Sequence, residues 1–294
     1  MTDYRRVFQL IESARRQLDE LAAEVQLLQA QDTPVERTRA LDDAQGGAPA
    51  PVRYDPARVI PPTLTDDPDS IVGGVPTREF PDCCAVGDDT RYYCTGTLIA
   101  PTIIVTARHC KNLKRAFLKG YDVTRPGGGE TIQIEEEVAH PEADLRVLIL
   151  REPSSVAPRH VAQGTEIQAE RALLVGFGTV DFGGTVGYGL KRKVEVPIAS
   201  IDCRGRGESS RYGCNPGTEL VAGHRGLDRD SCRGDSGGPL YILGSEGTYH
   251  LLGVTSRGVG GPRVCGDGGI YVRLDQFLQW IKSKTGVAIP GPLT

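Results

Sequence analysis

A chain of 294 residues with 37 glycines, 20 prolines and 6% aromatics suits short strands joined by turns better than a helical bundle. Its 34 basic and 38 acidic side chains leave a net charge of −4, which offers no electrostatic footprint for nucleic acid. No apolar run approaches the ~20 residues of a membrane span, so no membrane partner is expected. Eight cysteines, at positions 83, 84, 94, 110, 203, 214, 232 and 265, form an even set that suggests a disulfide frame and an oxidising compartment.

In chain order, residues 1–31 read as one amphipathic helix. Val7, Ile11, Ala14, Leu18, Leu21, Val25 and Leu28 alternate spacings of four and three, with charged or Gln-rich positions between. Two readings stand: a helix lying on the body of the protein, or a short coiled coil that oligomerises or docks a partner through residues 4–29. Residues 32–70 carry prolines, glycines and acids without periodicity and read as a linker or propeptide. After Ile71 come short apolar or alternating runs bounded by turn residues: CTGTLIA, TIIVTA, ALLVGFGTV, KRKVEVPIA, HLLGVTS and GGIYVRL. Leu274, Phe277, Leu278 and Ile281 then follow helical spacing, with Lys282 and Lys284 in the last turn and Gly286 as a stop signal. Residues 286–294 form a tail. The expected class is all-β with a C-terminal helix, and no repeat of solenoid or propeller period is present.

The chemistry concentrates in RDSCRGDSGGPLY, residues 229–241, where Gly234, Gly237 and Gly238 crowd Ser236 and two acids, Asp230 and Asp235, precede it. Glycine is entropically costly, so three around one hydroxyl mean that side chains would be in the way. A serine hydroxyl needs a base to become a nucleophile. Of the five histidines, His109 stands out: it ends the apolar run TIIVTA and adjoins Cys110, whereas His140, His160, His224 and His250 read as loop or strand-end residues. Taken alone, a histidine beside a cysteine is more often structural. A base also needs a partner to fix its tautomer, and Asp144 sits at the mouth of the apolar strand in HPEADLRVLIL.

The order His109, Asp144, Ser236, together with IVGG at 71–74, TARHC at 106–110, DLRVL at 144–148, GFG at 176–178 and DSCRGDSGGP at 230–239, resembles the trypsin-like, chymotrypsin-fold serine peptidases. The resemblance covers residues 71–285 and implies two six-stranded antiparallel β-barrels. It implies that Ser236, His109 and Asp144 form a catalytic triad and that the Gly234 and Ser236 amides form an oxyanion hole. Such a donor is worth roughly 3–4 kcal/mol of transition-state stabilisation. Asp235 matches the residue that receives the α-amino group of Ile71 once the Ser70–Ile71 bond is cut. Asp230 matches the base of a specificity slot for arginine or lysine, with Gly258 and Gly269 as its walls. Bridges Cys94–Cys110 and Cys232–Cys265 follow from the same resemblance. Cys203 matches one end of a third bridge whose usual partner position is Val221 here, and Cys214 is the expected substitute. Cys83 and Cys84 have no counterpart, which leaves a vicinal bridge open. None of the cysteines has zinc-site spacing, and no metal or cofactor is expected.

Three departures from the pattern bear on activity. Arg257 stands where a tryptophan is usual, and a cation there would favour acidic or polar neighbours of the cleaved residue. Arg108 and Arg146 replace small residues near His109 and Asp144, and long basic chains are expected to reach outward to solvent. Ser70, not a basic residue, precedes Ile71, so another protease, or assembly through the N-terminal helix, is expected to activate the chain. Arg58–Val59 is a self-cleavable alternative, but it would leave twelve residues before Ile71. The expected activity is that of a serine endopeptidase acting on polypeptides at arginine or lysine. The alternatives are a silent protease-fold scaffold working through its coiled coil, and a permanent zymogen used as a proteolytic sensor. The N-terminus as written has no uncharged apolar core or small-residue cleavage site and so is not read as a secretory signal. That points to an intracellular bacterial enzyme, whereas the cysteines point to an oxidising or extracellular setting.

Overall fold

The computed structural model describes residues 73–125, 127–164, 167–181, 187–260 and 265–289. The helix expected at 1–31, the linker at 32–70 and Ile71 itself lie outside the described residues.

Two closed antiparallel barrels make up the body. The first contains β2 (Cys83–Gly87), β3 (Tyr92–Ala100), β4 (Ile103–Thr106), β5 (Arg115–Leu118), β6 (Glu130–Ala139) and β7 (Arg146–Leu150), in the order β2-β3-β4-β7-β6-β5. The second is built from β8 (Arg171–Gly176), β9 (Arg192–Ser200), β10 (Glu219–Ala222), β11 (Pro239–Leu243), β12 (Tyr249–Gly258) and β13 (Gly269–Arg273). Its sheet order β9-β10-β13-β12-β11-β8 closes through β8–β9, and the short β1 (Val75–Pro76) pairs with Arg192 and Lys193 at the start of β9. Closure leaves the barrel strands without free edges, which β-rich chains must otherwise protect.

The alternation of side chains along strands explains the layers. In β6, Ile132 and Ile134 point inward while their neighbours face solvent. β4 and β12 are nearly all buried because one face fills a barrel and the other packs against the opposite barrel. The seam between barrels gathers Val105, Val147, Val175, Phe177, Tyr241 and Val254 in one apolar cluster. It also holds a buried ion pair: Arg159 donates to both carboxylate oxygens of Asp82, at 3.0 and 2.5 Å, and the Tyr241 hydroxyl donates to Asp82 at 2.6 Å. Satisfying every oxygen is what makes a charge tolerable at this depth.

A short helix α1 (Glu208–Tyr212) precedes β10. The chain ends in a 3-10 turn (Leu274–Phe277) that runs into α2 (Leu278–Thr285). Gly286 stops α2 in the left-handed conformation, its N–H returning to the Lys282 carbonyl at 2.9 Å.

Among the described residues the disulfides are Cys94–Cys110, Cys203–Cys214 and Cys232–Cys265. The vicinal bridge left open for Cys83 and Cys84 does not form; both are buried free thiols. Consecutive residues of β2 face opposite sides of the strand, and the two thiols enter different apolar clusters. Burial pushes the Cys84 thiol far above its ordinary range, so neither the packing nor the protonation state favours oxidation there.

Candidate active site

His109 and Asp144 come from the first barrel. β4 ends at Thr106, and the chain turns through Ala107 and Arg108 to His109 before Cys110 anchors it to β3. Asp144 stands just ahead of β7, the strand paired with β4, so the two meet. His109 Nδ1 lies 2.8 Å from Asp144 Oδ2, and the His109 amide donates to Asp144 Oδ1 at 3.0 Å. The Ser256 hydroxyl, from the second barrel, also donates to Asp144 Oδ2, at 2.7 Å. Burial alone would raise the Asp144 pKa, but the bonds from His109 and Ser256 outweigh it and hold the carboxyl below its usual value. The acid is therefore ionised and aimed at the imidazole.

The turn that delivers Asp144 is pinned from behind. His140 Nδ1 accepts the amides of Ala143 and Glu142 at 2.9 and 3.2 Å, and its ring meets Phe277 and Trp280 edge-on. Accepting two amides requires a neutral ring, and burial depresses the His140 pKa in the same direction.

Ser236 arrives on the loop before β11. Its carbonyl accepts the Thr95 amide at 2.9 Å and lies 3.7 Å from the Cys110 sulfur, the residue that follows His109. Gly237 explains part of the glycine run. A Cβ there would fall 2.0 Å from Thr106 Oγ1 and 2.6 Å from the Ala107 amide, so only a bare backbone lets the serine loop dock against the histidine loop. At Gly234, φ is +97°, and a Cβ would strike the Tyr188 ring at 2.9 Å. Among the described residues the Gly234 and Ser236 amides donate to no acceptor, which leaves them free to face a ligand.

Asp235 turns inward, away from Ser236. It accepts the Gly178 and Cys232 amides, each at 2.8 Å. Gly176 and Gly178 make the room for it: a Cβ on either would lie 2.0 or 2.4 Å from an Asp235 oxygen. That is the physical content of the GFG motif. Burial pushes Asp235 up to about 6, against the pull of the two amides and of Arg192.

Asp230, six residues before Ser236, is buried beside the paired strands β12 and β13. Gly258 and Gly269 face each other across the strand pair. A Cβ on Gly258 would find no atom nearer than 3.9 Å, whereas one on Gly269 would meet the Tyr271 hydroxyl at 2.9 Å. Asp230 Oδ1 accepts the Ser231 amide at 2.8 Å, and Oδ2 accepts the Gly266 and Gly268 amides at 3.3 and 3.1 Å. Burial outweighs these donors and pushes the carboxyl up to about 7.

A family model, Trypsin, matches residues 71–281. The chain belongs to the trypsin family. It is a serine peptidase of that family and a hydrolase, built on the two-barrel fold that the sequence motifs imply. Trypsin-family architecture also explains why the site lies where the barrels meet: each barrel supplies part of it.

One sequence expectation needs correcting in this trypsin-family site. Arg146 does not reach outward. Its side chain is only 11% exposed, with Nη1 on Glu137 Oε2 at 2.7 Å and Nη2 on the Arg108 carbonyl at 3.0 Å. Glu137 Oε1 takes the Leu113 amide at 2.8 Å. One ion pair thus grips both ends of the loop 108–113 that carries His109. Arg108, in contrast, is exposed as expected. Arg257, whose side chain is 41% exposed, has both terminal nitrogens bound to Glu219 at 2.8 Å.

Sequence reasoning also missed Ser256, Ser231, Tyr188 and Glu219. Only Glu219 left a signal, an acid beginning the apolar run ELVA. His250 lies at the start of β12, a strand end as expected, buried and bonded to Glu246 and Thr248. A depression of about 270 Å³ beside the site is lined by Arg108, His109, Lys111, Glu142 and Asp144. A larger one of about 320 Å³ at Arg78, Lys119 and Ser155 contains none of the site groups.

The grip of Arg146 on the histidine loop predicts a stability effect. Arg146→Met leaves the half-buried Glu137 carboxylate without its cation, which costs about 3 kcal/mol. Calorimetry should register a melting temperature roughly 5–10 °C lower. An unchanged melting temperature would mean that the pair does not hold the loop.

Proposed function

We propose that this chain is an endopeptidase that cuts after arginine or lysine through an acyl-enzyme, with Ser236 as nucleophile, His109 as base and Asp144 as the acid that orients it. The observation that carries this reading is the His109–Asp144 pair, bonded at 2.8 Å and set beside the docked Ser236 loop. His109 Nε2 takes the Ser236 proton as Oγ attacks the scissile carbonyl. The imidazolium that forms keeps its Nδ1–H on Asp144. The free Gly234 and Ser236 amides receive the negative oxygen, and His109 returns its proton to the leaving amine. Water then repeats the sequence on the acyl-enzyme and frees Ser236.

Asp230 supports the arginine or lysine preference. It is a buried carboxylate that accepts the amide of Gly268, next to Gly269, and at the foot of the slot that the family resemblance implies it would pair with a long side chain ending in a cation. Asp235 supports control by cleavage before Ile71. Its buried carboxyl sits high at about 6, and the α-amino group of Ile71 is a partner that would favour its ionised form. Ser70 does not suit a slot built around Asp230, so the activator is a separate protease of different specificity. The bridges Cys94–Cys110, Cys203–Cys214 and Cys232–Cys265 support an oxidising working environment. Among the described residues no helix is long and apolar enough to cross a membrane.

The test is hydrolysis of an arginyl amide by the full chain, compared with a Ser70→Arg chain that trypsin has cut before Ile71 and from which the trypsin has been removed. Activity that appears only after the cut supports the zymogen. Equal activity in both shows that the Asp235 switch is bypassed. Inactivity in both overturns the peptidase reading and leaves a scaffold with a protease fold.

A further inference from the structure

Arg257 stands on β12 between Ser256, whose hydroxyl reaches Asp144, and Gly258. Its guanidinium is bound on several edges. Nη1 and Nη2 each donate to a Glu219 oxygen at 2.8 Å, and Nη2 also reaches the carbonyl of Gly213, the residue that closes α1, at 2.8 Å. Glu219 is itself only 5% exposed and accepts the Asn215 amide at 2.7 Å, so its carboxylate cannot swing away. This fixed guanidinium makes one more contact: Nη1 lies 3.3 Å from Ser256 Oγ.

A hydroxyl has one proton. With an Arg257 N–H directed at its lone pair, Ser256 Oγ must send that proton elsewhere, and the acceptor at 2.7 Å is Asp144 Oδ2. The same oxygen accepts from His109 Nδ1 at 2.8 Å. An unbroken series of hydrogen bonds therefore runs Glu219–Arg257–Ser256–Asp144–His109, across β10, β12 and the loop before β7. The charge of Asp144 is felt at Arg257, whose pKa is raised first by its bonds to Glu219 and further by the two carboxylates.

We infer that Arg257, held by Glu219, is a positioning residue for the triad acid: it fixes the Ser256 hydroxyl so that its proton is always on Asp144, and so sets the orientation of the carboxylate beneath His109. This rests on the peptidase reading of the site. Two other roles fit the geometry less well. A subsite for acidic substrate side chains needs free guanidinium edges, and Glu219 and Gly213 occupy them. A mere tether between β12 and the Cys203–Cys214 loop would not need the contact to Ser256, and it would leave the chemical step untouched.

The experiment uses the full Ser70→Arg chain, cut before Ile71, with and without the double substitution Arg257→Met, Glu219→Met. Removing both partners leaves no buried lone charge, so the fold is kept, which thermal denaturation checks. The substrate is a single-residue arginyl amide, which engages only the slot. The double variant should keep KM within about twofold and lose about five- to tenfold in kcat, the effect of one hydrogen bond on a charged group. Its low-field His109 Nδ1–H proton resonance should shift or broaden. Arg257→Lys, which retains a cationic donor paired with Glu219, should recover most of kcat. A double variant with wild-type kcat and an unmoved resonance overturns the inference. A wild-type chain that neither turns over the amide nor reacts with a fluorophosphonate overturns the peptidase reading, and this inference with it; an active wild type with an unaffected double variant overturns the inference alone.

Discussion

Ser236→Ala should reduce kcat on an arginyl amide by roughly 10⁴–10⁶-fold and abolish fluorophosphonate labelling. The loss is large because no other group at the site can form the acyl bond. His109 and Asp144 would remain paired, but they would have no alkoxide to generate. The fold should be unaffected. Ser236 is held by its backbone, through the Thr95 amide on its carbonyl, and its hydroxyl is no part of that contact. The melting temperature should therefore stay within about 2 °C of wild type. Residual turnover a few hundredfold below wild type, well above that range, would place the nucleophile elsewhere.

The second large effect belongs to Asp230. Asp230→Ser should lower kcat/KM for arginyl substrates by on the order of 10³–10⁴-fold, while uncharged residues of similar length lose far less. On the proposed reading, an arginine side chain that reaches Asp230 would gain a buried anion in place of bulk water; in the variant it would give up water for an uncharged site. The same residue predicts a pH dependence. Burial places the free carboxyl at about 7, and a bound guanidinium would pull it down. Below pH 7 the empty slot is neutral, and binding a cation must first expel a proton. An amidine inhibitor should thus bind more weakly as pH falls through 7, approaching about tenfold per pH unit. An affinity unchanged between pH 5.5 and 8 would contradict this.

The sign for stability is opposite. A carboxyl whose folded pKa lies above its unfolded value binds more protons when folded, so it favours folding at low pH and opposes it as pH rises through the window from about 4 to about 7. The Asp230→Ser chain should be at least as stable as wild type at pH 8. On the proposed reading, selectivity at this position would be kept at the expense of stability, as expected for a functional carboxylate buried without a fixed cation.

What the sequence made legible were the groups whose setting is local. Ser236 sits among glycines, His109 ends an apolar run beside a cysteine, and Asp144 opens another; each constraint lies within a few residues of the group itself. The two-barrel fold followed from the same motifs. The turn-rich composition and alternating strands such as β6 are consistent with it but would suit many all-β chains. The half-cystine Cys214 was legible through the family resemblance, which implies a bridge from Cys203 to position 221, and Cys214 lies seven residues before that position.

What stayed hidden were pairings across strands. Arg146 announces a long cation, and a long cation usually reaches water. That it turns inward depends on Glu137, which comes diagonally across from it only because β6 and β7 pair in this register. Arg257 raised the same difficulty over a longer span: Glu219 is 38 residues away in sequence and meets it through the folded second barrel. Cys83 and Cys84 invited a bridge because adjacency in sequence is visible and strand alternation is not, unless β2 is recognised first. The role of Ser256 was concealed for another reason. Nothing in TSRG marks a hydroxyl as the third donor to an aspartate from the other barrel.

The central claim is that one hydroxyl, at Ser236, is the activated nucleophile. The most direct measurement is to treat the active chain with a fluorophosphonate, digest it and locate the modified residue by mass spectrometry. The account predicts one stoichiometric adduct, on Ser236 in the segment that begins at Asp230, and no adduct when His109 is replaced by alanine. An adduct on a different serine, or none on a chain that hydrolyses the arginyl amide, would contradict it.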